Sequence, residues 1–328
     1  MSIANLGSFN EILKSNKSFT IASHVDPDGD SIGSVLSLTL ALKKMGKCAE
    51  PVIIDKIPEK YKFLPGNKLI SNQFSSKSDV LISLDSSDIN RLGLNEDIRD
   101  YGNIIVNIDH HKNNALFGDL NIVDSSASSA GEIVYQLIKD KIKIDHDIAI
   151  NIYTSIITDT GSARYSNTTP LCLRILADLV DIGVKPDYVS RQVFEKRTLS
   201  SIKLLKLALD TLELLENNKI AAMYITQEML EVSKAMEEET EGIINYAREI
   251  DGVEVAVLFR EKEKSVTKVG LRSNEWVDVS KIAEKFNGGG HLRAAGCIVE
   301  LPINQARAVV LNAVSAALAD NGGILCKE

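Results

Sequence analysis

The 328-residue chain is short of cysteine, of long apolar runs and of positive charge, and each shortage removes a class of protein. Its four cysteines, Cys48, Cys172, Cys297 and Cys326, are scattered without paired spacing. That disfavours a disulfide framework or a zinc knuckle and fits reduced thiols in a cytoplasm. No apolar run reaches the roughly 18–20 residues that span a bilayer, so no membrane partner is expected. Met1 to Asn10 lacks a basic segment followed by an apolar stretch, the pattern of a secretory signal. The net charge is −8. Affinity for long duplex nucleic acid comes largely from Lys and Arg meeting phosphates, so no such partner is expected. Small phosphorylated substrates remain open, because bound cations reverse the local sign of an acidic site.

What is present is the balance of a globular protein, 44% hydrophobic and 25% charged. The length accommodates two domains. Short apolar runs at Phe19–Ser23, Val52–Ile54, Val80–Leu84 and Ile104–Ile108 have strand length. Helical spacing covers Asp30–Met45, then 128–140, 147–158 and 169–182. Strand alternating with helix predicts an α/β fold with a parallel sheet. From 186 to 216 dense leucines at helical spacing predict a connecting helix or helix pair, broken at Asn217-Asn218. Beyond it, strands at 220–225, 253–259, 265–272 and 296–300 mix with helices at 238–249, 278–286 and 303–319. This predicts a smaller second α/β domain. The expected boundaries are 1–190, a helical linker at 191–216, and 217–328. Glu237-Glu238-Glu239 reads as a solvated helix start.

Four short motifs sit at the ends of these elements. His24-Val25-Asp26-Pro27-Asp28-Gly29-Asp30 follows the first strand. Three acids and a histidine so close repel unless a cation lies among them, and imidazole with carboxylate is a common ligand mixture. The alternative is an N-cap aspartate in a turn. Asp85 ends the third strand, where a helix cap is the alternative. Asp109-His110-His111 follows the fourth strand and takes two of the chain's five histidines. One ring can bind metal while its neighbour reaches substrate. Thr158-Asp159-Thr160-Gly161 closes a helix, as a ligand or as a capping turn. A fifth motif, Asn287-Gly288-Gly289-Gly290-His291-Leu292-Arg293-Ala294-Ala295-Gly296, combines glycines that let a backbone approach phosphate with two cationic side chains. Its alternative is a flexible turn.

In this order the motifs resemble the DHH phosphoesterase superfamily, named for the triplet found here at 109–111. His24, Asp28 and Asp30 match its His-x-x-x-Asp-x-Asp, Asp85 its strand-end aspartate, and 158–161 its Thr-Asp-Thr-Gly. The fifth motif resembles the Gly-Gly-Gly-His of the DHH-associated domain. The pairing resembles nano-RNases that also dephosphorylate 3′-phosphoadenosine 5′-phosphate.

The resemblance implies two divalent cations, manganese first and magnesium as the alternative. His24, Asp28 and Asp85 would hold one; Asp30, Asp85, His110 and Asp159 the other, with Asp85 bridging. Asp109 would orient His110, and His111 would contact the scissile phosphate. Arg272, Gly289, Gly290, His291, Arg293 and Arg164 would bind substrate, with a surface ion pair as the alternative for Arg272. Asp26 and Asp88 match no ligand position. Two cations sharing a water lower its pKa, which implies hydroxide attack on phosphorus. Expected substrates are short RNA oligonucleotides cut to mononucleotides, and 3′-phosphoadenosine 5′-phosphate. The runner-up is hydrolysis of cyclic di-adenylate or its linear product. A pyrophosphatase would carry a Ser-Arg-Lys-Lys-Gln motif, which is absent. A catalytically dead nucleotide sensor would lack a ligand, and every ligand position is occupied. A homodimer is the default assembly.

Overall fold

The computed structural model describes residues 3–94 and 96–322. It divides into two compact units, 1–196 and 197–328.

In the first unit the chain runs α1 (Ile3–Ser15), β1 (Ser18–Ser23), α2 (Gly29–Lys44), β2 (Cys48–Val52), β3 (Ser78–Leu84), β4 (Gly102–Asp109), β5 (Leu120–Val123), α3 (Ala130–Ile138), α4 (His146–Asp159), α5 (Pro170–Asp181) and α6 (Pro186–Ser190). The sheet order is β2-β1-β3-β4-β5, and every pairing is parallel. Strands β1, β3 and β4 are apolar runs because both of their faces are covered. Phe19, Ile21, Val80, Ile82, Val106 and Ile108 face the main core. Leu81 and Ile105 face the other side, where Leu92, Ile98, Phe74 and Phe117 close a smaller cluster. That second face is covered by loops with short 3₁₀ turns at Ile89–Leu92 and Ile98–Asp100.

Helix α2 is buried on nearly every side, with apolar residues interrupted by Ser34, Ser37 and Thr39, whose hydroxyls donate to carbonyls of the same helix. It touches β1, β2 and β3, and also α3 and α4. Asp28 caps it: the carboxylate accepts the Ser31 N–H, and the Ser31 hydroxyl accepts the Asp28 N–H. The parallel order reverses between β1 and β3, since β1 has β2 on one side and β3 on the other. The carboxyl ends at such a switch point are where open α/β sheets bind ligands.

The second unit comprises α7 (Leu199–Leu209), β6 (Glu213–Leu215), β7 (Ile220–Ile225), α8 (Gln227–Ser233), α9 (Ile243–Arg248), β8 (Val255–Glu263), β9 (Val266–Ser273), α10 (Val279–Glu284), β10 (Gly289–His291), β11 (Ala294–Val299) and α11 (Ile303–Gly322). Its mixed sheet has the order β10-β11-β9-β8-β7-β6, parallel only between β7 and β8. Alternate residues serve alternate faces. Ile220, Ala222, Val255 and Val257 pack with Val279, Ile282, Val310 and Val314 of α10 and α11. Ala221, Met223, Ala256 and Leu258 pack with Leu204 and Leu205 of α7 and Ile243 and Ala247 of α9.

Several element expectations shift. The second strand is Cys48–Val52 rather than Val52–Ile54. Leu214 and Leu215 belong to β6, not to a helix. The expected helix at 238–249 is a 3₁₀ turn, Glu237–Thr240, followed by α9. Among the described residues no helix is long and apolar enough to cross a membrane.

Candidate metal centre

Three strands of the first sheet end in the residues of the site. His24 follows β1, Asp85 follows β3, and Asp109 ends β4 with His110 and His111 behind it. Asp28 and Asp30 stand at the start of α2, and Asp159 ends α4.

The His24 ring lies 2.7 Å through Nδ1 from the Val25 carbonyl. A carbonyl only accepts, so Nδ1 carries the proton and Nε2 presents a lone pair while the ring is neutral. That Nε2 lies 3.4 Å from Asp85 Oδ2 and 4.0 Å from Asp28 Oδ1. His110 Nε2 stands 3.5 Å from Asp85 Oδ1, 3.5 Å from Asp30 Oδ2 and 3.4 Å from Asp159 Oδ2. Charge-assisted hydrogen bonds are shorter, about 2.7–2.9 Å. Ligand atoms that each sit about 2.0–2.2 Å from one cation are themselves roughly 3–3.5 Å apart. The spacing is that of a shared ion. Asp85 Oδ1 is also buried without a hydrogen-bond partner, which is costly for a carboxylate oxygen unless a cation meets it.

Ligand atoms of His24, Asp28 and Asp85 lie within 4.8 Å of one another, as do those of Asp30, His110 and Asp159. Asp85 turns one oxygen to each histidine, Oδ2 to His24 and Oδ1 to His110.

The electrostatics point the same way. Burial pushes Asp30 well above the usual carboxylate range, and the Asp85 and Asp159 charges add to it. Asp159 is pushed up to about 7 by burial and by Asp85 and Asp28, against the pull of His110. Burial opposes charge on His110, yet Asp159, Asp85 and Asp30 hold it well above the ordinary imidazole value. His24 is raised against burial by Asp85 and Asp28. Burial works against the Asp85 charge too, but the facing His110 and His24 rings keep this carboxyl well below its usual range. More carboxylate is gathered here than two imidazoles neutralise. Nitrogen and oxygen donors in one buried cluster suit divalent cations, and binding them releases the held protons.

The triplet differs in one respect from its sequence reading. Asp109 Oδ1 accepts from the His111 ring at Nδ1, 2.7 Å away, and takes only the backbone N–H of His110, at 2.8 Å. Its other oxygen accepts from Asn114 Nδ2 at 2.6 Å. Asp109 thus orients His111, where the sequence reading has it orienting His110.

Asp28 caps α2, the alternative of its sequence reading, and its carboxylate also lies 4.0 Å from His24 Nε2. Asp88 caps the turn at Asn90, and the Asp26 N–H bonds Asp55 at 2.7 Å.

The glycine-rich motif in the second unit is an ordered hairpin. Gly289, Gly290 and His291 pair with Gly296, Ala295 and Ala294. Arg272 pairs with Ala294 on the other side. His291 and Arg272 therefore stand in register on one sheet face, with only an alanine methyl between them. Arg293 lies in the two-residue hairpin loop. Its guanidinium donates to the Val277 carbonyl at 2.8 Å and to that of Glu275. In the first unit Arg164 Nε donates to the Gly161 carbonyl at 2.7 Å.

The partners that hold the site were not legible in the sequence. The Val25 carbonyl, Asn114, and the Ala130 and Gly131 amides and Ser155 hydroxyl that donate to Asp30 form no spaced motif. Tertiary packing alone brings them to the ligands.

Comparison with known proteins agrees with this architecture. Residues 18–158 match the DHH family, N-terminal domain, and residues 217–320 match the DHHA1 domain. The chain is 36% identical to a Thermus thermophilus protein named bifunctional oligoribonuclease and PAP phosphatase NrnA, over 90% of this chain and 88% of that one. A Bacillus subtilis protein of the same name is 29% identical over 84% and 87% of the two chains. The crystal structure of an exopolyphosphatase-related protein from Bacteroides fragilis superposes with a TM-score of 0.86 at 26% identity, covering 99% of this chain and 98% of that one. The chain belongs to the DHH phosphoesterase superfamily, in the group that joins a DHH domain to a DHHA1 domain.

Proposed function

We propose that the chain is a two-metal phosphoesterase that cuts short oligoribonucleotides to mononucleotides and converts 3′-phosphoadenosine 5′-phosphate to AMP. The observation that carries the reading is Asp85, a buried carboxylate with one oxygen toward each of two His/Asp groups and one oxygen without a hydrogen-bond partner. The substrate class is supported by the activity for which the Thermus thermophilus relative is named.

His24, Asp28 and Asp85 would hold one cation, and Asp30, Asp85, His110 and Asp159 the other. Manganese is the first choice. When bound, the cations supply positive charge to the phosphoryl oxygens and acidify a shared water. His111, its ring fixed by Asp109, meets a phosphoryl oxygen or gives a proton to the leaving oxygen. The backbone of Gly289 and Gly290, with His291 and Arg272, binds another phosphate or a base of the substrate. Arg293 and Arg164 donate to main-chain carbonyls, so each holds its own loop and would meet substrate only through its remaining N–H groups.

The test is a hydrolysis panel with manganese. It contains di- to pentanucleotide RNAs, a long RNA, 3′-phosphoadenosine 5′-phosphate, linear and cyclic di-adenylate, and pyrophosphate. Dinucleotides and the adenosine bisphosphate are expected to turn over fastest. Equal rates on long RNA, or a preference for pyrophosphate, would refute the proposal.

A further inference from the structure

Asp30 is buried at the start of α2, and its carboxylate receives three donors from two other helices. The Ala130 N–H donates to Oδ2 at 2.8 Å, and the Gly131 N–H donates to Oδ1 at 3.1 Å. The Ser155 hydroxyl also donates to Oδ1. A carboxylate oxygen has two lone-pair directions. Those of Oδ1 are both taken. Oδ2 keeps one, and it is this oxygen that stands 3.5 Å from His110 Nε2.

We infer that Ser155 is a positioning residue: it locks Asp30 so that Oδ2 alone ligates the second cation. The inference rests on the two-metal reading above. Ser155 lies one helical turn before Asp159 on α4, so one face of one helix supplies a ligand and the group that aims another. The hydroxyl has little freedom. A Cβ at Gly131 would come within 2.0 Å of Ser155 Oγ, so the close approach of α3 is what leaves the hydroxyl its place. The other hydroxyl beside it is that of Ser129, at 3.3 Å. Without Ser155 the carboxylate is held only by the α3 amides and can pivot, and Oδ1 then competes for the ion.

The experiment is calorimetric titration of metal-free protein with Mn²⁺ alone, for the wild type, Ser155→Ala, Ser155→Gly and Asp30→Asn. Ser155→Gly removes the hydroxyl together with Cβ and costs roughly 1 kcal/mol of helix propensity in α4, so an effect common to both variants belongs to the hydroxyl and not to local packing. Two binding events are expected in the wild type. Asp30→Asn should remove or cripple one of them. Both Ser155 variants should weaken that same event by about 10–100-fold and leave the other unchanged. The metal-free melting temperature of Ser155→Ala should stay near the wild-type value, and that of Ser155→Gly should fall only by the few degrees that a mid-helix glycine costs. If Asp30→Asn loses the event while both Ser155 variants titrate like wild type, the positioning role is overturned. A fall in the metal-free stability of Ser155→Ala with unchanged Mn²⁺ affinity overturns it too, since the role is then structural. If Asp30→Asn itself keeps both events, the ligand reading of Asp30 fails first and takes the inference with it.

Discussion

Asp85 carries more of the site than any other residue. Its backbone is left-handed, with φ +57°, a conformation that most side chains avoid and that Asp and Asn tolerate. The residue type is therefore constrained twice, by the proposed ligand role and by the turn. Alanine would strain the turn as well as delete the carboxylate, so Asp85→Asn is the cleaner probe. It should keep the fold, as read by circular dichroism, and lose at least about 10²–10³-fold in kcat, the scale seen when a preorganised electrostatic contact is removed. Turnover near the wild-type rate with manganese added would exclude the bridging role. At this scale the gathering of carboxylates and imidazoles was readable, because parallel strands bring their carboxyl ends to one edge. The Asp109–His111 bond was not. Which ring a carboxylate meets depends on how the chain turns after β4, and adjacency in sequence does not determine that.

The hairpin of β10 and β11 shows what an element adds. Its glycines admit a sequence reading as a phosphate-binding loop. The structure gives Gly290 a packing reason as well. Its φ is +142°, and a Cβ there would lie 2.4 Å from the Ala294 carbonyl. Gly290→Ala should cost about 1–3 kcal/mol in the second unit. Trp276 is the chain's single tryptophan and follows Glu275, whose carbonyl Arg293 holds, so its fluorescence during denaturation reports that loss. An unchanged denaturation midpoint would show that the hairpin tolerates a side chain there. Two of the strands missed in the sequence share a cause. β5 and β10 are four and three residues long, too short for a period to emerge. β6 was hidden in a leucine-dense run that fits helical spacing. It is set apart by a turn in which Glu216, Asn217 and Asn218 all take positive φ.

For the whole molecule the charge cluster predicts a link between metal, pH and stability. Asp159 rises to about 7 on folding, from an ordinary value near 3.8. Between those values the folded chain binds the extra proton, so metal-free stability falls as pH rises from about 4 to about 7. His110 acts with the same sign. Its stabilising contribution is complete below its ordinary value of 6.5 and is lost as pH rises through its elevated folded value. Asp85 acts oppositely, but only as pH falls below its ordinary 3.8. Mn²⁺ replaces the protons and so stabilises most where they have left. Scanning calorimetry should show a larger rise in Tm on adding Mn²⁺ at pH 8 than at pH 6. A larger rise at pH 6 would contradict the arrangement of charges.

The sequence by itself determined the kind of chemistry and its framework. Apolar runs alternating with helical spacing led to a parallel sheet, since such runs are stable only when both faces are covered. Acids and histidines at the ends of those runs converge because parallel strands share one carboxyl edge. Only the tertiary structure decided the order β2-β1-β3-β4-β5, which makes the ends of β1 and β3 neighbours at the switch point. It alone decided which oxygen of Asp85 meets which histidine, and that α3 and α4 lend Asp30 its donors. These are contacts between residues up to 125 positions apart. Local pattern holds no information about them, because packing of whole elements sets their distance.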